Sequence, residues 1–163
     1  MRKKCKTYIV LAMFFFGTVG QIRAEENIMI KNIARHNTLF ALDLYNQLKM
    51  TDGNLYFSPF SILTALAMTW AGARENTAVQ MTETLHFTEK PARFHRAIGD
   101  LISQLNALQK ETGVELSIAN AIWAQKGYQF LDEFFRIVQQ SYQADLKQVD
   151  FSSADESARQ AIN

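Results

Sequence analysis

The chain has 163 residues, of which 48% are apolar and 20% charged, with 12 phenylalanines but only two prolines. This composition excludes a disordered, collagen-like or low-complexity polymer. The formal net charge is +1, but five basic and no acidic residues lie in the first 24 positions, so the rest of the chain has 12 basic and 16 acidic residues. A body with a net charge of −4 gives no electrostatic reason to expect nucleic-acid binding.

Residues 1–24 have the three parts of a secretory signal: a basic start, the apolar run Tyr8 to Phe16, and small residues before Ala24. We predict a signal peptide over 1–24, with cleavage after Ala24 or after Gly20. The exported protein would be secreted and extracellular, or periplasmic or on the cell surface if bacterial. The alternative is a transmembrane anchor, but the apolar run is well short of the roughly 20 residues that a spanning helix needs. We therefore expect no stable membrane anchor.

The remaining residues, 25–163, suit one domain, and they contain no cysteine because the single Cys5 precedes the apolar run. Apolar residues at helical spacing predict a first helix over 32–50. The run Asn54–Phe57 predicts a short strand. Ser58 and Pro59 then suit the cap and first turn of a second helix that continues to about residue 70. That helix carries no charged side chain, so we expect it to be buried on all sides.

Four more helices and two strands are predicted in the rest of the chain. A third helix runs over 77–85, and apolar residues on steps of three or four predict a fourth from about Phe94 to Gly113. Alternating apolar and polar residues then predict a strand over 114–123, and a second strand is predicted over 144–151. A fifth helix around 130–138 separates them, so that the two strands can pair in parallel. Ser152 and Ser153 can cap a sixth helix.

No set of residues points to catalysis, to a metal or to a cofactor. The chain lacks the Gly-x-Ser-x-Gly elbow of serine hydrolases and any glycine-rich phosphate loop. His36, His86 and His95 lie in different segments without the close spacing of a metal pair. Surface positions or helix packing account for all three histidines. We therefore predict that the chain is not an enzyme.

A small basic cluster precedes and opens the fourth helix. Lys90, Arg93 and Arg96, together with His95 if it is charged, could contact an anionic polymer. The alternative is a solvated helix face that Glu89 and Asp100 partly balance. A few positive charges on an acidic domain give only a weak field once salt screens them. The cluster is therefore a weak candidate for an anion-binding site.

The order of several motifs resembles the serpin family of protease inhibitors. The motifs that carry the resemblance, in chain order, are Asn54–Ile62, Leu66–Met68, Gly72-Ala73, Ala119–Trp123, Val149–Phe151 and Ala158-Arg159. The resemblance implies an α+β serpin fold in which the chain supplies helices A to F, with F truncated, and strands of sheets A and B. It also implies an incomplete fold, because most of the sheets and the reactive loop with its scissile bond would lie beyond residue 163.

The resemblance implies a function as a serine protease inhibitor of the suicide-substrate type. A target serine protease attacks an exposed loop and is acylated, and the cut loop then inserts into sheet A. Ser58, Ser61 and Asn120 match the so-called shutter, where sheet A opens; capping of the helix is the alternative role of the two serines. The resemblance further implies a monomeric full-length protein, and residues 1–163 alone should be inactive. A non-inhibitory serpin that serves as a carrier or chaperone, and an unrelated secreted helical binding module, are the alternative functions.

Overall fold

A computed structural model describes residues 3–112, 120–153 and 155–162 of the chain. These residues form six helices and two strands. In chain order they are α1 (Lys3–Leu48), α2 (Pro59–Gly72), α3 (Glu75–Thr84), α4 (Pro91–Thr112), β1 (Ala121–Gln125), α5 (Asp132–Tyr142), β2 (Asp145–Val149) and α6 (Asp155–Ile162). The predicted sequence of helices is confirmed. The start of the first helix is not, because α1 runs without a break through residues 24–32.

The two strands pair in parallel, as predicted, with Ala121 opposite Asp145 and Gln125 opposite Val149. Lys147 reaches across the pair and places its ammonium 5.0 Å from the centre of the Trp123 ring. Residues 114–119 of the predicted first strand lie outside the described residues. Helix α5 connects β1 to β2, since a parallel pair needs a crossover connection.

The predicted strand Asn54–Phe57 is wrong. This segment has no strand or helix assignment, and Leu55 and Tyr56 are exposed. A β-prone run forms a strand only where a neighbouring strand pairs with its backbone, and none does so within the described part of the chain. The segment leads directly into α2.

The core lies where α1, α2, α4 and α5 meet, and aromatic rings fill its centre. The Phe87 and Phe94 rings lie with their centres 4.1 Å apart, and the Trp70 ring contacts both of them. Aliphatic side chains from all four helices surround these rings. The fully buried apolar side chains include Ile33, Leu63, Leu85, Phe94, Ile98, Ile102, Val138 and Tyr142.

Helix α2 is not buried on all sides, which corrects the expectation from its composition. Leu63, Ala67 and Trp70 are buried, whereas Ser61, Ala65 and Thr69 are exposed. The exposed residues recur every fourth position and therefore lie on one face of the helix. Because this face carries small side chains and no charge, the mean composition of the helix does not reveal it.

Candidate functional site

The first part of the candidate site is the start of α2, where two serines contact each other. Ser58 has an extended backbone and is the N-cap, and Pro59 occupies the first helical turn. The Ser61 amide donates to Ser58 Oγ at 3.3 Å, and the two hydroxyl oxygens lie 2.9 Å apart. The capping role that the sequence suggested for Ser58 is therefore present. Both serines are exposed, so that their hydroxyls are open to further partners.

The second part is Asn120, which immediately precedes β1. Its backbone carbonyl accepts a hydrogen bond from the Asp145 amide at 3.3 Å and so extends the pairing with β2 by one residue. The side-chain Nδ2 is buried and has no hydrogen-bond partner among the described residues. The structure thus brings Ser58 and Ser61 together, and it shows no bond from Asn120 Nδ2 to either serine. A buried amide without a partner is costly, which makes Nδ2 a donor in need of an acceptor.

The predicted basic cluster lies at the start of α4, and its three members are exposed. The Lys90 carbonyl accepts from the amides of Arg93 and Phe94 at 3.0 Å, which starts the helix. Arg93 places its guanidinium 3.5 Å from the carboxylate of Glu25 in α1. Both members of this ion pair are largely exposed, so its contribution to stability is small.

His95 does not belong to the basic cluster. Its side chain is 2% exposed, and burial lowers its pKa to about 4, so the ring is neutral at pH 7. The ring nitrogen Nδ1 lies 2.6 Å from the hydroxyl of Tyr142 in α5. The position of His95, next to Phe94 on the apolar face of α4, was the sequence signal for this burial.

His36 is a second buried histidine, and it fastens α1 to the segment between α3 and α4. Its Nε2 lies 3.2 Å from the Thr88 hydroxyl and 3.5 Å from the Glu89 carboxylate, which also accepts a 2.8 Å bond from Asn32. Burial lowers the pKa of His36, and the charge of Glu89 partly opposes that effect. The sequence placed these residues far apart, and only the fold shows that they meet.

A polar cluster joins the end of β1 to the segment before α6. The Asp150 carboxylate accepts hydrogen bonds from the amides of Ser152 and Ser153 at 3.0 and 3.1 Å, from the Ser153 hydroxyl, and from Gln125 at 3.1 Å. Gln125 Oε1 in turn accepts from the Phe151 amide at 2.8 Å. These hydrogen bonds hold the pKa of Asp150 well below its usual range. The bond from the Ser153 hydroxyl has the largest effect, and the bond from the Gln125 side chain has the next largest. Sequence reasoning assigned Ser153 a capping role and missed this cluster.

The part of the chain that the structure describes was searched for a metal site and for a membrane-spanning helix. No three histidine, aspartate or glutamate side chains there come together in a way that could hold a metal ion. None of the helices searched in that part has a stretch long and apolar enough to span a membrane.

A comparison with known proteins shows to which family these helices and strands belong. The family model Serpin, described as "Serpin (serine protease inhibitor)", matches residues 35–163. The chain belongs to the serpin family. This membership confirms the resemblance and the serpin-like α+β fold. It also supports the prediction that the chain is not an enzyme, since the serpin family is described as one of protease inhibitors and not of catalysts.

Individual serpins are similar over the same part of the chain. The human leukocyte elastase inhibitor is 39% identical over 136 residues, which cover 82% of this chain and 35% of that protein. The structure of reactive-loop-cleaved human thyroxine-binding globulin superposes with a TM-score of 0.72 at 32% identity, covering 82% of this chain and 40% of the other. A cleaved Serpin 42Da gives a TM-score of 0.70 at 28% identity, covering 82% and 35%. The chain thus spans little more than a third of the length of the serpins it matches.

The comparison contradicts the predicted location. We expected a secreted, extracellular or periplasmic protein from residues 1–24, but the leukocyte elastase inhibitors belong to clade B, the intracellular branch of the serpins. The location inferred from the basic and apolar start of the chain is therefore wrong by this comparison. The signal peptide over 1–24 itself stays a prediction.

Proposed function

We propose that residues 25–163 form the N-terminal part of a single serpin domain that inhibits a serine protease. The observation that carries this proposal is the family match over residues 35–163, together with a relative that is named an elastase inhibitor. The described helices and the β1–β2 pair supply a framework, and no catalytic group is needed in it. An inhibitor of this kind acts through an exposed reactive loop and a conformational change. Its function therefore depends on residues that permit this change.

The proposed mechanism is the one-use trap of the family. A serine protease attacks the reactive loop and becomes acylated, and the cut loop then inserts into sheet A as an additional strand. The new strand pairing and the released strain drive this step. The family resemblance implies that the reactive loop is not among residues 1–163, so we propose that these residues alone do not trap a protease.

The proposed role of Ser58, Ser61 and Asn120 is to ease the opening of sheet A beside β1. The two hydroxyls already exchange a hydrogen bond at 2.9 Å, and either oxygen can act as donor or acceptor. Asn120 Nδ2 is a buried donor that lacks a partner among the described residues. Hydroxyls that can change partners would prevent a moving strand from leaving buried groups unpaired, at a cost of about 1–3 kcal/mol each.

The proposed inhibition can be tested by mixing proteases with the complete protein and, separately, with residues 25–163. Trypsin-like and elastase-like serine proteases should be used, because the chain does not reveal the specificity. On a denaturing gel, the complete protein should give a stable covalent band with at least one protease, and residues 25–163 should give none. Cleavage of the complete protein by every protease without a covalent band would contradict the proposal. A covalent band with residues 25–163 would contradict their proposed inactivity.

A non-inhibitory serpin is the second candidate, and a specific observation favours it. The structurally similar thyroxine-binding globulin is named for binding thyroxine, which supports ligand binding as a function of the same framework. A carrier would be cut in the loop without trapping the protease. The gel experiment therefore separates the two candidates directly.

We also propose two finer properties of the complete protein. It should be a monomer, because the trap needs only one copy. Lys90, Arg93 and Arg96 should form a weak contact for an anionic polymer, because all three are exposed and lie close together, Lys90 just before α4 and the two arginines in its first turns.

A further inference from the structure

The contact between α4 and α5 combines very close packing with one buried polar pair. Gly99 brings the backbone of α4 against Ser141 of α5, where a Cβ on residue 99 would lie 2.6 Å from the Ser141 oxygen. One turn earlier on α4, His95 meets Tyr142, the residue after Ser141. Both side chains are nearly inaccessible, at 2% and 1% exposure. The His95–Tyr142 pair is therefore a buried polar connection within this tight helix crossing, whereas the bond from Gln143 Nε2, at the end of α5, to Ser103 Oγ in α4 is exposed.

The chemistry of this pair depends on which atom carries the proton. Burial raises the pKa of Tyr142, so the phenol keeps its proton at every physiological pH. We therefore assign the Tyr142 hydroxyl as the donor to His95 Nδ1 across the 2.6 Å contact, which leaves the histidine proton on Nε2. His95 Nε2 is buried and has no partner among the described residues. A proton added at Nδ1 would reverse this hydrogen bond, so that Nδ1 donates to the Tyr142 oxygen and the phenol proton loses its acceptor. It would also place a full charge in the core.

The groups around His95 offer no compensation for such a charge. From α2, the Trp70 ring lies 5.1 Å away, and α5 contributes Tyr142. The titratable group of α1 on this side is His36, whose ring stacks on the Phe94 ring with 6.3 Å between the two ring centres. On α4 itself, Arg93 and Arg96 are cationic and exposed. Burial alone lowers the pKa of His95, and no carboxylate in the described part of the chain offsets this effect.

We propose that the His95–Tyr142 pair is an acid-sensitive latch, which holds α5 against α4 at neutral pH and releases it when His95 is protonated. The folded state resists a proton that the unfolded state accepts near pH 6.5. The stability that the neutral ring contributes is thus complete above pH 6.5 and is lost progressively as the pH falls toward 4. This proposal concerns a conformational property of the helical framework and does not depend on inhibition.

The test compares the urea unfolding of the complete protein at pH 7 and pH 5. With pKa values of 6.5 unfolded and about 4 folded, His95 should raise the unfolding equilibrium constant about 20-fold between these pH values. The His95→Gln variant should lose that part of the pH dependence, because glutamine does not titrate. His86→Gln is the matched control. His86 is only half-buried and pairs with Asp43, so this variant should keep the His95 effect. Equal pH dependence in the wild type and His95→Gln would overturn the proposal.

A second measurement avoids the variant, in case His95→Gln does not fold. The His95 ring protons can be followed by NMR in the wild-type complete protein as the pH is lowered. Titration well below pH 6, accompanied by broadening or loss of α4 and α5 signals, would support the latch. Titration near pH 6.5 without a change in the helix signals would overturn it.

Discussion

Gly99 in α4 faces the backbone carbonyl of Ser141 in α5 so closely that a Cβ at position 99 would lie 2.6 Å from the carbonyl oxygen. This contact sets the distance between the two helices and places His95 and Tyr142 within hydrogen-bonding reach one turn away. Since α5 connects β1 to β2, the same contact fixes the small sheet on the helical framework.

We predict that Gly99→Ala destabilises the protein by about 1–3 kcal/mol, because the new methyl group would collide with rigid backbone. The matched control is Gly72→Ala, whose Cβ would meet only the Phe134 ring at 3.3 Å, and that ring can shift slightly. Urea unfolding of both variants measures the difference. Equal stability of the two variants would show that α4 and α5 can move apart at this contact without loss.

Most of the helices could be predicted from the sequence, because their signals are local. The apolar residues of α4 recur on steps of three and four, and Pro59 and Gly72 mark the two ends of α2. The parallel pairing of β1 with β2 followed from the order strand, helix, strand. The family could be predicted as well, because several motifs occur in the serpin order.

The errors arose where partners distant in the sequence decide the outcome. Asn54–Phe57 has strand-forming residues but no partner strand within the described residues, and α2 has one exposed face that its uniform apolar composition concealed. His95 is adjacent to Arg96 in the sequence, yet the two side chains point to opposite environments. The candidate site was only partly foreseen: the contact between Ser58 and Ser61 is local, whereas the cluster around Asp150 joins residues about 25 positions apart.

Ser58 and Ser61 can be distinguished by substitution. Ser58→Ala removes both the N-cap of α2 and the bond between the hydroxyls, and it should cost about 1 kcal/mol of stability. Ser61→Ala removes only the bond between the hydroxyls and should cost less. Urea unfolding of the complete protein checks this order. A larger loss for Ser61→Ala would mean that Ser61 makes contacts beyond those described.

The Asp150 cluster predicts that stability also depends on pH in a range more acidic than the range in which His95 acts. Its carboxyl pKa is depressed in the folded state, so its contribution is present above the unfolded value of 3.8 and is lost as the pH falls further. We expect Asp150→Asn to lower the thermal midpoint at pH 7, and the difference from the wild type should shrink below about pH 3.8. Asp145→Asn, an exposed carboxylate in β2, is the control and should have little effect. A pH-independent difference for Asp150→Asn would show that its charge is not what holds the cluster.

The basic cluster predicts a salt-sensitive contact with anions. Changing Lys90, Arg93 and Arg96 together to glutamate should abolish retention of the complete protein on a sulfated-polysaccharide column at low salt. The control changes Lys126 and Arg136, which are also exposed, to glutamate and should leave most of the retention. Equal losses in both variants would indicate a general charge effect and no local site.

We propose that this segment supports a sheet that opens to accept an inserted strand. The thermal unfolding of the complete protein, before and after a non-target protease cuts its reactive loop, tests this proposal. We predict a clear rise in the unfolding temperature after cleavage, because the inserted loop adds strand pairing to the sheet. An unchanged or lower unfolding temperature, with the loop shown by mass spectrometry to be fully cut, would contradict the proposed opening of the sheet.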